Sequence, residues 1–597
     1  MIERCQRERF EEVIHETDFC VVGGGLAGTF AAVAAARQGS KVVLMQDRPV
    51  LGGNCSSEIR MWVRGAHGEN VRETGLLEEA ALTNMYRNPS MNYSIWDSVL
   101  YEMVINEKNI ELLLNCSCCD AEVLGSSIVT VRGWQTTTQC WHIVKAKIYA
   151  DCSGDSVLAP ITGAAFRIGR ESAVEFGETI EPEKSDECTM GMSCLIQARE
   201  YDKPKKYIAP KWANKYTAED FANRMNLTDP DSWKEDNFWW MELGGIYDSI
   251  KDTEKLREEL LKIAFGVWDY VKNVGSLNAD CWDLDWVGFL PGKRESRRYI
   301  GNYILTQNDV RSGKIYEDTV AYGGWTMDDH NPLGFETNEQ PNIFHDAPSP
   351  YAIPYRCLYS DNIDNLMFAG RNISTTHAAL SSTRVMATCG LLGQAIGTAA
   401  GIAVREGCLP GEIYPNKIEE LKQTLIENDC YLPGNRRATP ELMRKIRMTS
   451  DYGDIRYLTD GIERDVDGIN HAWEAPKGTE ILVDSLEKTM MKKVRIVFDS
   501  DLNRKSFEDH RVAIQKFPLH CQIFSDQKEI HPPVTLTKEF SVWGDMGDGN
   551  WTLLYEENNN YQRLVMIDIN GTYQRLKIKF HETWGNDTVR IYALDIS

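Results

Sequence analysis

Histidine is the side chain best suited to move a proton near neutral pH, and three of the eleven histidines stand beside other chemistry-bearing residues. His377 lies seven residues before Arg384, and His330 directly follows Asp328 and Asp329, either of which could orient an imidazole. His67 closes the short run from Arg64. Each could act as the base or acid of a proton-transfer step; a hydrogen-bonded structural histidine is the competing reading. Arg294, Arg297 and Arg298 with Glu295 offer either a clamp for a carboxylate or diphosphate or an internal ion-pair network. Cys116, Cys118 and Cys119 lack a second cysteine pair at zinc-ligand spacing, so no metal is expected.

These residues need elements to position them. From Thr17 to Asp47 the chain reads as strand, glycine turn, alanine-rich helix and strand, the start of a doubly wound α/β domain. Gly23, Gly25 and Gly28 fit G-x-G-x-x-G between the first strand and the helix. The first permits the tight turn, the second lets backbone approach a pyrophosphate, and the third lets helix and strand pack closely. The usual ribose-binding acid at the end of the second strand is replaced by Gln46, with Asp47 next; either side chain could make the contact. Lys147–Ala150 leads into a small-residue turn, Asp151 to Asp155 with Gly154 inside it, which would pass close to the dinucleotide. A later strand, Leu366–Ala369, ends in Gly370 and Arg371, and a helix of small residues containing Gln394 follows.

A chain of 597 residues, 42% apolar, can build two to four domains. Its net charge of −23 disfavours nucleic-acid and anionic-lipid partners. No window approaches the ~20 apolar residues of a membrane span, and the charged first residues are unlike a signal peptide, so a cytoplasmic location is expected. The sixteen cysteines are scattered and read as free thiols. Eight aromatics, Trp233, Phe238, Trp239, Trp240, Trp268, Trp282, Trp286 and Trp325, crowd one central region, as core or as faces for sugar rings. From about Gly461 alternating β-rich runs separated by Asp, Asn and Gly predict an antiparallel β-sandwich.

The run from Leu51 through Gly52, Gly53 and Asn54 to Glu58 resembles the glutathione-reductase-type flavoprotein superfamily. With Arg64–Gly68, Ala150–Ser172, Phe238–Gly245, Gly288–Arg298, Gly323–His330 and Asn365–Gly401, the chain is more closely similar to the FAD-dependent oxidoreductases of bacterial carbohydrate-utilisation loci. Its C-terminal part resembles the galactose-binding-like domains that accompany them.

The resemblance implies an α/β fold: a Rossmann-like FAD-binding domain (1–165, returning at 351–410) with an inserted α+β substrate region (166–350). A helical connector (411–464) and the β-sandwich (465–597) follow. FAD would contact Gly23, Gly25, Gly28, Gln46, Asp47, Gly52, Gly53, Asn54, Asp151, Gly154, Gly370, Arg371 and Gln394. The helix bearing Gln394 would approach the flavin ring, and a helix N-terminus would face the reduced ring's charge. His377, then His330, with Arg384, would serve catalysis.

The activity implied is hydride transfer between a carbohydrate or polyol CH–OH carbon and flavin N5. The alternatives are C=C reduction or flavin-assisted elimination on a sugar derivative and, from another class, glycan binding with a structural flavin. Flavin disulfide reductases carry a second cysteine five residues after the position of Cys55; Arg60 stands there. With no second glycine fingerprint for a nicotinamide cofactor, the electron acceptor would be external: a quinone, a carrier protein, oxygen or an oxidised metabolite. The sandwich would serve glycan binding, structure or oligomerisation.

Overall fold

In the computed structural model, residues 9–224, 229–504 and 521–597 are described. The first sheet has β1 (Glu12–Val22), β2 (Val42–Met45), β3 (Ile110–Leu113), β4 (Cys116–Leu124), β5 (Ser127–Gln135) and β6 (Cys140–Asp151) in the order β3–β2–β1–β6–β5–β4, with β7 (Leu366–Phe368) paired to β6. β1, β2, β3, β6 and β7 run parallel; β4 and β5 are antiparallel additions. Phe19–Val22 and Val42–Met45 are continuous apolar runs because both of their faces are covered, as parallel central strands require. The loops leaving β1, β2, β6 and β7 therefore emerge at one edge, where such sheets place their ligands.

Helix α1 (Leu26–Arg37) follows β1, and α4 (Met386–Glu406) packs across it. The packing depends on missing side chains: a Cβ on Gly393 would lie 2.0 Å from the Ala27 carbonyl oxygen, and one on Gly397 would lie 2.1 Å from that of Ala31. Gly393 and Gly397 of α4 thus let two helix backbones touch. The same composition corrects the expectation that no segment resembles a membrane span. Among the described residues one helix, α4, is long and apolar enough to cross a membrane, but 94% of its most apolar window is buried in the protein.

This sheet belongs to a compact unit comprising the described residues of Met1–Gly65, Asn92–Leu421 and Pro518–Lys528. Within it, Trp233, Phe238, Trp240, Trp268 and Trp282 form a core around the helix Thr253–Asp269.

The described residues of Ala66–Met91, Lys422–Phe517 and Glu529–Ser597 form a second unit. Its antiparallel sheet contains β8 (Arg447–Thr449), β9 (Trp473–Pro476), β10 (Glu480–Phe498), β11 (Thr537–Asp545), β12 (Trp551–Glu557), β13 (Leu564–Thr583) and β14 (Thr588–Ile596). Their order is β9–β14–β10–β13–β11–β12, with β8 on β10. Alternation builds the core: Leu576, Ile578 and Phe580 of β13 point inward toward Ile481, Val483 and Phe540. Breaks in register after Asp484 and Met491 interrupt the long β10–β13 ladder.

Segments outside 465–597 take part in this unit. Leu82 and Met85 of α2 (Leu76–Arg87) are buried in its core, and buried Asp429 pairs with Arg563 at 3.0 Å. A chain ending near residue 463 would strand these apolar and charged groups, so we expect it to aggregate. Leu82→Ala should destabilise the second unit by about 2–5 kcal/mol, read by thermal unfolding. Soluble, monomeric protein from the truncation, or an unchanged melt for the variant, would contradict this.

Candidate functional site

A cavity of about 730 Å³ runs along the edge where β1, β6 and β7 end, a size typical of cofactor and small-molecule sites. Gly23, Gly25, Gln46, Asp47, Gly52, Gly53, Asn54, Gly154, Gly370 and Arg371 all line it. The three fingerprint glycines have separate duties. Gly23 sits at φ +101° and its missing Cβ would strike the Cys152–Ser153 backbone at 2.5 Å; a Cβ on Gly28 would lie 1.8 Å from the Gly23 carbonyl oxygen. Gly25 alone opens outward, with the nearest atom, Gly53 Cα, 4.0 Å from where a Cβ would be. It also N-caps α1, whose first turn has neither a side-chain cap nor an acid, leaving backbone donors for an anion. A diphosphate fits this cradle.

Gln46 is spent on the turn itself: Oε1 accepts from Gly24 N–H at 2.7 Å and Nε2 donates to the Val50 carbonyl at 3.1 Å. Asp47 stays half-open beside Arg48, which makes it the freer of the two toward a ribose. Asp151 corrects the expectation of a cofactor contact. It is fully buried, outside the cavity lining, accepting from Ser153, Leu158 and Tyr299. Asp155 lines the cavity in its stead. It meets Lys293 at 2.7 Å and Arg371 at 2.8 Å; burial raises its carboxyl, but these cations outweigh burial and hold it at about 2. Gln394, buried within α4, is also absent from the lining. What α4 offers instead is its uncapped N-terminus, where Val385 and Met386 border the cavity. Cys55 is buried and its thiol donates to the Gly52 carbonyl, while the Arg60 guanidinium lies over Trp286.

The other end of the cavity is built on a hairpin, Met327–His330 paired with Asn342–His345. Strand alternation turns Asp328, His330, Asn342 and Phe344 toward the cavity and Asp329 away from it. His330 Nδ1 lies 2.6 Å from Glu242 and Nε2 3.2 Å from Asp328. Arg384 donates to Asp328 Oδ2 at 3.1 Å, and Asn342 donates to Oδ1 at 2.5 Å. Burial raises Glu242 and Asp328, but Arg294 and His330 beside the first, and His330 and Arg384 beside the second, hold both below the usual carboxylate range. Trp239 stands edge-on to His330 at 5.3 Å. Of the eight aromatics, only Trp239 and Trp325 line the cavity.

His377 does not line it. As the first residue of α3 (His377–Thr383) it points into a buried carboxylate cluster, with Nδ1 2.8 Å from Glu295 and Nε2 3.2 Å from Asp329. Its backbone N–H and that of Ala378 donate to Glu171 and Glu181, so the N-terminus of α3 is already occupied by acids. The expected order of the two histidines is reversed: His330 reaches the cavity and His377 lies behind it. Arg294 likewise lines the cavity, while Arg298 is buried in ion pairs with Glu171 and Glu295. His67 is exposed and belongs to the second unit. Sequence reasoning missed Lys293, Glu242 and Asn342, although Lys293 stands in the quoted run beside Arg294.

Burial lowers the His377 pKa, but Glu295 and Asp329 overcome it and push it well above the ordinary histidine value. A raised folded-state value means that this ion cluster stabilises the fold fully below the unfolded pKa of ~6.5, and that the contribution is lost as pH rises through the folded value. We expect His377→Gln to cost about 3–5 kcal/mol near pH 6 and to flatten the fall of Tm with pH above ~6.5. Identical Tm–pH curves for the two proteins would refute this.

The family described as FAD dependent oxidoreductase matches residues 18–425. No curated protein matches this chain. Among the solved structures that match, the following align with about a quarter of it. The family 32 carbohydrate-binding module from Streptococcus pneumoniae EndoD is 13% identical over 25% of this chain and 94% of its own, with a TM-score of 0.19. The family 32 module of Clostridium perfringens NanJ, in complex with galactose, is 10% identical over 26% and 97%, with a TM-score of 0.18. A chitosan-binding module of a chitosanase/glucanase from Paenibacillus sp. IK-5 is 9% identical over 26% and 95%, also with a TM-score of 0.18.

Proposed function

This chain belongs to the FAD dependent oxidoreductase family, and from that premise we propose that it moves a hydride between a CH–OH carbon of a carbohydrate or polyol and flavin N5. It is an enzyme, its cofactor is FAD, and it needs a small-molecule substrate and an electron acceptor. In this reading the first sheet and its glycine turn are a Rossmann-type domain interrupted by a substrate region. The β-rich C-terminal part is read as a galactose-binding-like sandwich.

One observation carries the reading. The cavity that begins at Gly25 ends at His330, with Asp328 and Arg384 beside it and with Trp239 and Trp325 also in the lining. Aromatic side chains and charged hydrogen-bonding groups together suit a polyhydroxylated ring.

The uncapped turn at Gly25, with Gly53 beside it, would hold the FAD diphosphate, and Asp47 the ribose. When bound, FAD supplies the two-electron acceptor. Glu242, 2.6 Å from Nδ1, fixes that nitrogen as a donor, and Nε2, which Asp328 also approaches, is the nitrogen that would exchange a proton with the substrate hydroxyl. Asp328, held in place by Arg384 and Asn342, lies 3.2 Å from Nε2 and balances the ring's charge when it is protonated. Buried Arg294, anchored on Glu242 and on the Ser193 hydroxyl, keeps that carboxylate ionised.

An imidazole between two carboxylates is also suited to be a proton donor, which is the reason to keep alkene reduction or flavin-assisted elimination on a sugar derivative as the second reading. The test is an anaerobic screen of sugars and polyols for bleaching of the flavin's visible band, with product identification. A dehydrogenated product supports the first reading; a saturated or eliminated one supports the second. No bleaching and no product by any sugar would dismiss both.

A further inference from the structure

The polar end of the cavity is lined by guanidinium groups. The chain as a whole carries −23, yet Arg64, Arg294 and Arg384 all line this end, against one lining carboxylate, Asp328. Asp328 is already engaged by Asn342, Arg384 and His330. Glu242, which balances Arg294, lies behind the wall. Fields in a low-dielectric cleft are focused on what enters it, so guanidinium groups on its wall favour an anion.

Two buried atoms sharpen the reading. Arg384 spends Nη2 on Asp328, but its Nε–H has no partner among the described residues. Asn237 lines the same cavity, and its Oδ1 is a buried acceptor with no partner among the described residues, on a residue that is 4% exposed. An unfilled donor on a guanidinium suits a carboxylate, which accepts a charge-assisted bond. An unfilled amide oxygen requires a donor, and a hydroxyl supplies one. The diphosphate of FAD does not call for these groups, because its cradle at Gly25 has Lys293 and Arg371 nearby.

Resting on the reading that this end receives a carbohydrate, we infer that the substrate is an acidic sugar, a uronate or aldonate, whose carboxylate is received by Arg384 while a ring or chain hydroxyl donates to Asn237. Arg384 is thereby the residue that sets specificity for acid over neutral sugar. The hydride chemistry is unchanged: one CH–OH carbon loses a hydride and a proton, and the carboxylate is a spectator.

The experiment uses the FAD-loaded full chain and pairs of sugars differing only by carboxylate for hydroxymethyl: galacturonate with galactose and glucuronate with glucose, plus gluconate. Binding to the oxidised protein is measured by calorimetry, and flavin bleaching by anaerobic mixing. At least one acid should bind and bleach the flavin, at least about tenfold better than its neutral partner. Arg384→Gln should weaken the acid about 10- to 100-fold more than its neutral partner, whose own change reads the looser hold on Asp328. Arg384→Lys should recover part of the preference, and FAD content and circular dichroism establish that the variants are folded. A neutral sugar that binds and reacts as well as its acid overturns the inference and leaves carbohydrate oxidation standing. So does an Arg384→Gln loss that is equal for both members of a pair, or a change in flavin spectrum with no change in preference. If no sugar of either kind binds or bleaches the flavin, the carbohydrate reading falls and takes this inference with it.

Discussion

Gly25→Val should give a folded, colourless protein. Gly25 has φ −65°, which any residue adopts, and the nearest atom to an added Cβ is 4.0 Å away. The backbone and the packing therefore tolerate the side chain. The space it fills is the one a diphosphate needs in front of the α1 N-terminus, so we expect FAD affinity to fall about 10²-fold or more. Gly28→Ala makes the opposite trade. Its Cβ would lie 1.8 Å from the Gly23 carbonyl oxygen, so that variant should lose stability as well as cofactor. Protein-bound FAD after gel filtration, with thermal melts of the apoproteins, separates the two effects. Stoichiometric FAD in Gly25→Val would show that the diphosphate lies elsewhere.

The second large effect concerns His330. Changing it to Gln removes the imidazole at the cavity wall and leaves the Gly25 end untouched, so FAD content should hold while flavin reduction by substrate slows about 10²- to 10⁴-fold. Glu242→Gln should give a smaller loss, because the imidazole stays in place and only the fixing of Nδ1 is weakened. His377→Gln is the informative comparison: it should lose stability while its rate of flavin reduction falls far less. Near-normal reduction kinetics in His330→Gln would remove the role from His330. A large defect confined to His377→Gln, in protein shown to be folded, would transfer it there.

The sequence alone determined those features that arise from local sterics and local periodicity. The glycine fingerprint was legible because each of its three constraints acts within a few residues or on the adjoining strand. Continuous apolar runs marked β1 and β2, and alternation marked the β-rich C-terminal strands. The chemistry of His330 was half legible, since Asp-Asp-His on a strand must send Asp328 and His330 to one side and Asp329 to the other. Which side faces the cavity was not. The pairing of that strand with Asn342–His345 and the placement of α3 decided it, and the same tertiary arrangement buried His377 among Glu295, Glu171 and Glu181. Asp151 was read as a cofactor contact from its strand-end position, yet its partners Tyr299 and Asn372 lie 148 and 221 residues away. The glycines of α4 signalled close approach without naming what approached, because a missing side chain says that something comes near and not whether it is a ring or a helix. Residues 66–91 carry no local mark of belonging with the C-terminal strands; Leu82 and Met85 join that core only because folding brings together apolar surfaces that are remote along the chain.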